Sequence, residues 1–264
     1  MQWHLSVERV PELTLPHIIA LICVVALGTV VVQQIRRRRK LRALAAQISA
    51  LRSSQGQRIQ YRPMGASESP SGGFRAILDE ATDVLKQNGL TVLGDLIEED
   101  HSGKSRGPTR WFVDHDQTTC GWVAALPTPQ GIQPVAFFFS EVSSREWVVT
   151  HMGPTSIRLS TPAFVNRTDY PSTDGLTGAF TGHRKALSSR SDQGDLRRAA
   201  GLPEAVALVE RFRKAITDWR ASQRADELLA QDLRSILQNR FDELGPFLLR
   251  LLKRESSTNN SHAA

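Results

Sequence analysis

An uncharged apolar segment near the N-terminus constrains this chain more than any other feature. Residues 13–32 read LTLPHIIALICVVALGTVVV and carry no formal charge. Twenty residues at a rise of about 1.5 Å make a helix roughly 30 Å long, which matches the hydrocarbon thickness of a bilayer. Pro16 falls in the first turn, where its missing amide proton costs little. The pattern predicts a single transmembrane helix over residues 13–35.

The residues that flank this segment favour a retained anchor over a cleaved signal peptide. Signal peptides carry basic residues before the apolar run and small residues after it. Here the order is reversed, because the run is followed by the basic cluster Arg36, Arg37, Arg38, Arg39 and Lys40. The positive-inside rule then places the N-terminal residues 1–12 outside and residues 36–264 in the cytoplasm. We expect the basic cluster to contact anionic lipid headgroups.

The high net charge does not predict a nucleic-acid partner. The chain carries a formal charge of +6. Nine basic residues and no acidic residue lie between positions 34 and 66, so the remainder carries −3. A nucleic-acid-binding protein is expected to carry its positive charge on the folded module. We therefore assign the basicity to the membrane-proximal segment and expect no nucleic-acid binding.

The residues after the span predict a basic juxtamembrane helix followed by a linker. Leu41, Leu44, Ile48 and Leu51 recur at spacings of three and four, which is typical of one face of a helix over residues 36–52. This stripe covers fewer than two heptads, so a weak homodimer through it is a hypothesis. Residues 53–73 are rich in Ser, Gly, Pro and Gln and predict a flexible linker.

Residues 74–264 predict a cytoplasmic α+β domain. An amphipathic helix is expected over 74–88, ending at Asn88-Gly89. Runs rich in Val, Trp, Phe and Thr predict strands at about 90–98, 110–115, 119–126, 133–140, 146–151 and 156–160. Their short connections exclude parallel crossovers, so we expect an antiparallel β-meander flanked by helices. A short helix near 176–187 is weakened by Gly178 and Gly182.

Helical periodicity returns from Leu202 and continues to the C-terminus. Gly245-Pro246 predicts an end or a kink in the last helical run. Beyond it the segment 247–252 is too apolar to be left in water, so it docks on the domain, binds a partner or lies on the membrane. We favour docking on the domain. A protein partner is also expected, and its candidate surface comprises Phe247, Leu248, Leu251 and Leu252.

The chain lacks the common catalytic and cofactor motifs. Gly103-Lys104-Ser105 resembles the end of a phosphate-binding loop, but the required glycine five positions earlier is Glu98. Asp114, His115, Asp116 and Cys120 form the densest group of metal-ligating residue types. Strand alternation places His115 opposite both carboxylates, so we interpret this group as the polar end of a hairpin. We expect no metal and no cofactor, and we assign no catalytic residue.

Three functional hypotheses follow. The first is a single-pass membrane protein whose cytoplasmic domain is a protein-interaction or scaffold module. The second is a membrane-tethered enzyme, for example a hydrolase, that uses a histidine with a nearby aspartate; its candidates are His115, His151 and His183. The third is a small-ligand sensor with a pocket lined by aromatic strand residues, namely Trp111, Trp122, Trp147 and Phe137 to Phe139. The sheet core is the interpretation that we favour for these aromatic residues.

Overall fold

The computed structural model describes most of the chain. The described residues are 15–55, 59–65, 68–70, 72–100, 103, 105–142, 146–154, 158–191 and 195–261, and the side chains of 15–28, 54–55, 191 and 254–261 are not included. The chain divides into two compact units. One comprises residues 1–50 with 250–264, and the other comprises residues 51–249.

The larger unit is an α+β domain built on a seven-stranded mixed sheet. Its strands are β1 (Gln60–Pro63), β2 (Leu90–Glu99), β3 (Ser105–Asp114), β4 (Cys120–Thr128), β5 (Gly131–Val142), β6 (Glu146–Gly153) and β7 (Val165–Pro171). The order of the strands in the sheet is their order in the chain. Strands β1 to β6 pair antiparallel with their neighbours, whereas β7 pairs parallel to β6. The predicted antiparallel meander is therefore correct for β2 to β6, whereas β1 lies in the segment predicted as a linker and β7 is parallel to its neighbour.

The position of the last strand is also a correction. Residues 158–160, inside the strand predicted at 156–160, are not in a strand, and residues 155–157 lie outside the described residues. Strand β7 follows at Val165–Pro171 instead. Its sequence, VNRTDYP, is polar because β7 is an edge strand with a neighbour on one side only. Because of this polar composition, the sequence does not distinguish β7 from the loop residues around it.

Helices cover both faces of the sheet. On one face α2 (Gly72–Gln87) and α3 (Gly175–Ser191) enclose a core. This core includes Leu78, Leu85, Phe112, Phe138, Met152 and Phe180. On the other face α4 (Leu202–Ser222) packs through Ala205, Leu208 and Val209. Opposite α4 the sheet presents Trp111, Trp122, Phe139 and Trp147. The alternation of side chains along each strand divides the two cores, since Phe138 enters one and Phe139 the other.

Two C-terminal helices follow, α5 (Ala225–Leu237) and α6 (Phe241–Ser261). The break between them lies at residues 238–240, where Gln238 has a φ of 46°. An end of the helix at Gly245-Pro246 is wrong, because Pro246 lies inside α6; a kink there stays a prediction. Gly245 serves packing instead: a Cβ there would lie 2.8 Å from ring carbons of Phe241.

The N-terminal helix α1 (Leu15–Gln55) is continuous across the predicted span and the predicted juxtamembrane helix. Most of the proposed span at 13–35 lies outside the described residues or among the side chains that are not described. In the described part, no helix carries an apolar stretch of the length and hydropathy that crossing a membrane requires. The apolar stripe is confirmed as a packed face, since Ile48 is fully buried and Leu41, Leu44 and Leu51 are half-buried.

Part of the segment predicted as a linker is ordered. Residues 60–63 form β1, which pairs with β2 at the edge of the sheet. Tyr61 packs edge-on against Trp111 with ring centroids 5.1 Å apart. Arg62 donates from Nε to Glu99 at 2.6 Å. These long-range contacts outweigh a local composition that disfavours regular structure.

Helix α3 approaches β7 closely at Gly182. A Cβ at this position would lie 1.8 Å from the hydroxyl oxygen of Tyr170, far inside van der Waals contact. The glycine that weakens the sequence-based helix prediction is therefore a packing requirement. Gly178, one turn earlier, is a different case. A Cβ there would lie 3.7 Å from its nearest neighbour, Asp174.

We predict opposite effects of alanine at these two glycines. Gly182→Ala should destabilise the domain by about 1–3 kcal/mol, because Tyr170 must move. Gly178→Ala should stabilise it by up to about 1 kcal/mol, because alanine favours the helix and meets no clash. Urea unfolding of the two full-length variants measures both free energies. A stabilising Gly182→Ala substitution would contradict the close approach.

Candidate functional site

A cavity of about 560 Å³ lies in the larger unit, on the α4 side of the sheet. Its apolar wall consists of Leu51, Ile59, Trp122, Phe137, Phe139, Val149, Leu159, Phe212 and Ile216. Its polar wall consists of Arg106, Ser160, Thr161, Arg167, Glu210, Arg213, Lys214, Thr217 and Asp218. The cavity thus combines an aromatic surface with a charged one. Of the aromatic residues considered for a pocket, Trp122, Phe137 and Phe139 line it.

Strand register brings the aromatic wall together. Phe137 and Phe139 are two residues apart on β5 and therefore share a face, with ring centroids 5.8 Å apart. Trp122 on β4 lies directly opposite Phe137 in the antiparallel register, and their ring centroids are 4.8 Å apart. Phe212 of α4 completes the group, 5.4 Å from Phe139 between ring centroids. The apolar wall is continuous with the core of the domain.

Two side chains of the cavity carry buried N–H groups without a hydrogen-bond partner among the described residues. They are Nε1 of Trp122 and Nη1 of Arg213. Trp122 is 9% exposed. The Arg213 guanidinium lies 5.2 Å from the ring centroid of Tyr61, and its Nη2 is 3.9 Å from Glu98. A buried donor without an acceptor costs about 1–3 kcal/mol, so such groups require an explanation.

Most other charges of the cavity are partnered. Lys214 pairs with Asp218 at 2.5 Å. Arg167 pairs with Asp169 at 2.8 Å. Arg106 lies 3.5 Å from Glu98, the same carboxylate that Arg213 faces. Two guanidinium groups therefore face one carboxylate, and Glu210 adds a second carboxylate to the polar wall.

Of the three histidines named as catalytic candidates, His151 has a carboxylate partner. Its Nδ1 lies 3.3 Å from Oδ1 of Asp169. Burial raises the pKa of Asp169, but the hydrogen bond to His151 and the charges of Arg167 and Arg158 outweigh it and hold the pKa at about 2. The His151 ring packs on Phe137 with centroids 4.5 Å apart. His151 thus lies beside Phe137 in the strand register and is not among the residues that line the cavity.

His183 belongs to a closed polar network in the opposite core. It is fully buried, with Nε2 at 3.0 Å from the Ser140 hydroxyl and Nδ1 at 3.0 Å from the Thr150 hydroxyl. Ser140 in turn lies 3.2 Å from the Thr119 hydroxyl. Burial lowers the pKa of His183 to about 3, so the ring is neutral at physiological pH. Each ring nitrogen has a partner, which is typical of a structural histidine.

The depressed pKa of His183 predicts a pH-dependent stability. Below pH 6.5, the ordinary pKa of histidine, His183 binds a proton in the unfolded chain but stays neutral in the folded chain. Stability is therefore complete above about pH 6.5 and falls as pH drops towards 3, by about 2 kcal/mol between pH 7 and pH 5. Urea unfolding at these two pH values should show this loss in the native sequence. In His183→Gln the loss of unfolding free energy between the two pH values should be smaller. An equal loss in this variant would contradict the lowered pKa of His183.

The group at 114–120 forms the end of a hairpin. Asp114 accepts hydrogen bonds from the backbone amides of Thr118 and Thr119 at 2.8 and 2.9 Å and from the Thr118 hydroxyl. Burial raises the pKa of the Cys120 thiol to about 12, which keeps it protonated. His115 is exposed. In the part of the chain that the structure describes, no three residues of metal-ligating type converge.

The predicted surface sites have different environments. Arg36, Arg37, Arg38, Arg39 and Lys40 are exposed on α1, as contact with lipid headgroups requires. In the candidate partner surface, Leu248 is fully buried and Leu252 is 4% exposed. Phe247 and Leu251 are half-buried. Two of its four residues are therefore already covered within the chain.

Sequence reasoning did not single out the polar wall of the cavity. Arg213 and Glu210 lie among several charged residues of α4, and nothing local distinguishes those that face the sheet from those that face solvent. The apolar periodicity of α4 is the one sequence signal for this wall. Phe212 and Ile216 continue that periodicity, so the residues beside them are expected near the edge of the buried face.

Comparison of the chain with protein-family models, with curated proteins and with solved structures finds no match in any of the three.

Proposed function

We propose that this chain is a single-pass membrane protein whose α+β domain binds a small molecule in the cavity between the sheet and α4. The observation that carries the proposal is a cavity of about 560 Å³ with one wall of aromatic and aliphatic side chains and one wall of charged and hydroxyl side chains. Ligand pockets span about 300–1,000 Å³ and combine an apolar lining with a few convergent polar groups. The cavity has both properties.

Binding is favoured over catalysis by the position of the histidines. The cavity is lined by none of His115, His151 and His183. His183 is held by hydroxyl groups in the opposite core, and His151 packs beside Phe137 and pairs with Asp169. A catalytic base must reach the proton that it abstracts, directly or through one water. The sensor hypothesis therefore has the geometric support that the enzyme hypothesis lacks.

The scaffold hypothesis remains a prediction of the sequence. The surface expected to bind a protein partner contains Leu248 and Leu252, which are buried within the chain. Partner binding through these leucines would require α6 to expose them first. For this reason we place ligand binding ahead of scaffolding.

A substitution that fills the cavity tests the binding function. Ile216 lines the cavity from α4, so Ile216→Trp should place an indole in the space and exclude a ligand without emptying the core. The probe is a neutral naphthalene ketone dye whose emission rises in apolar surroundings. With the full-length protein in nanodiscs, we expect dye emission above that of empty nanodiscs, and its loss in Ile216→Trp.

The matched control is Ala221→Trp, which adds the same indole at an exposed position of α4 outside the cavity lining. It should retain dye binding. Loss of binding in both variants, or in neither, would contradict a ligand site in this cavity.

The proposed anchor rests on the sequence. An uncharged run of twenty residues ends just before a cluster of five basic residues, and this order favours a helix that spans with the cluster on the cytoplasmic side. The basic side chains are exposed on α1, where anionic headgroups can reach them.

Membrane extraction tests the anchor. The full chain should stay in the membrane pellet after an alkaline carbonate wash, because a spanning helix is not released by disrupting electrostatic contacts. A variant without residues 13–35 should appear in the supernatant. Release of the native chain by carbonate would show that the segment binds the membrane surface at most.

A further inference from the structure

We infer that a ligand in this cavity and the end of helix α1 stabilise one another, and that the ion pair between Arg52 and Asp232 makes this coupling. The inference rests on the proposed binding function and adds a regulatory consequence to it. Helix α1 is the helix that carries the proposed anchor. Occupancy of the cavity would therefore determine how firmly the domain holds the end of that helix.

The end of α1 supplies one residue to the cavity wall and one to a buried ion pair. Leu51 lines the cavity and is half-buried. Arg52, the next residue of the same helix, lies with its Nε 3.3 Å from Oδ2 of the fully buried Asp232. All three residues belong to the larger unit. Adjacent residues of one helical turn move together, so the ion pair also holds Leu51 at the wall.

Asp232 holds two other parts of the same wall. It accepts hydrogen bonds from the backbone amide and the hydroxyl of Ser160, which lines the cavity. It also pairs with Arg220 of α4. Thr217 and Asp218 line the cavity from the turn of α4 that precedes Arg220. One carboxylate thus joins three elements of the chain around the cavity.

Arg52 is the partner that Asp232 can release. Arg220 donates to both carboxylate oxygens, at 2.6 and 3.2 Å, and its side chain is 11% exposed. Arg52 approaches Oδ2 alone, and its side chain is 27% exposed. Burial lowers the pKa of Arg52, whereas the charge of Asp232 raises it and that of Arg220 lowers it further. Without Arg52, Asp232 keeps Arg220 and the two hydrogen bonds from Ser160, so the end of α1 can undock without leaving a buried charge unpaired.

A ligand distinguishes the docked end of α1 from the undocked end. In the docked arrangement it contacts Leu51, whereas undocking removes this apolar side chain from the wall. A ligand shifts a conformational equilibrium by the difference between its affinities for the two states. Such linkage is reciprocal, so the ligand holds α1, and a held α1 strengthens ligand binding by the same factor.

The experiment is a double-mutant cycle on dye affinity, with the full-length protein in nanodiscs. Arg52→Gln should weaken dye binding about five-fold or more, because α1 is docked in a smaller fraction of the molecules. In a Leu51→Ala background the same substitution should have no further effect, since Arg52 acts through Leu51. The matched control is Arg42→Gln, which removes an exposed arginine of the same helix and should bind the dye as the native chain does.

A second measurement requires no substitution. Hydrogen exchange of the backbone amides of residues 52–55 should slow by a similar factor in the native chain at saturating dye, because exchange there requires the end of α1 to open. Arg52→Lys should lie between the native chain and Arg52→Gln in dye affinity, since lysine keeps the charge without the planar guanidinium.

The outcomes that overturn the coupling differ from those that overturn the binding function. The coupling is wrong if Arg52→Gln binds the dye as the native chain does, or weakens binding equally with Leu51 and with alanine there. It is also wrong if the dye leaves hydrogen exchange at residues 52–55 unchanged. In these cases the proposed function stands. If the dye does not bind, or binds equally to Ile216→Trp, the proposed function fails and the inference with it.

Discussion

The arrangement of the α4 side of the domain depends on one buried carboxylate, Asp232. Its side chain is fully buried on α5. It pairs with Arg220 of α4 at 2.6 Å and with Arg52 at 3.3 Å. It also accepts hydrogen bonds from the backbone amide and the hydroxyl of Ser160, at 3.0 and 2.6 Å. A buried charge is tolerated only when paired and hydrogen-bonded, so these groups have to assemble together. Since Ser160 lines the cavity, the same carboxylate fixes part of its wall.

The two faces of the sheet satisfy their polar groups differently. On the α2 and α3 side, His183 is held between two hydroxyls and the network closes within the protein. On the α4 side, Trp122 and Arg213 are buried as donors without acceptors in the described part of the chain. The hydroxyl of Tyr61, which packs on the same face but does not line the cavity, is a third such group. Incomplete hydrogen bonding is therefore a property of this face of the sheet and extends beyond the cavity.

The sequence predicts those helices and strands that form from residues close together in the chain. The helix near 74–88, the strands β2 to β6 and the helical C-terminus follow from periodicity and short connections. The edge strands β1 and β7 were missed because Tyr61 and Val165 are ordered by partners distant in sequence. Gly182 disfavours a helix by its intrinsic propensity, but the close approach of the Tyr170 side chain requires a residue without a Cβ there. The aromatic wall of the cavity is among the candidates from the sequence, but the position of Arg213 in the lining depends on which way α4 faces, which one sequence does not determine.

The sheet and the cavity differ in how far apart in the chain their contacts lie. Strands β2 to β6 pair in chain order through short connections, so these steps of the sheet close at small entropic cost. The step from β1 to β2 is longer, because α2 lies between them. The cavity instead joins residues as distant as Leu51 and Asp218. Its walls include Leu159, Ser160 and Thr161, which lie between β6 and β7. The cavity therefore depends on contacts between residues far apart in the chain, and such contacts cost more conformational entropy to form than the hairpins of the sheet.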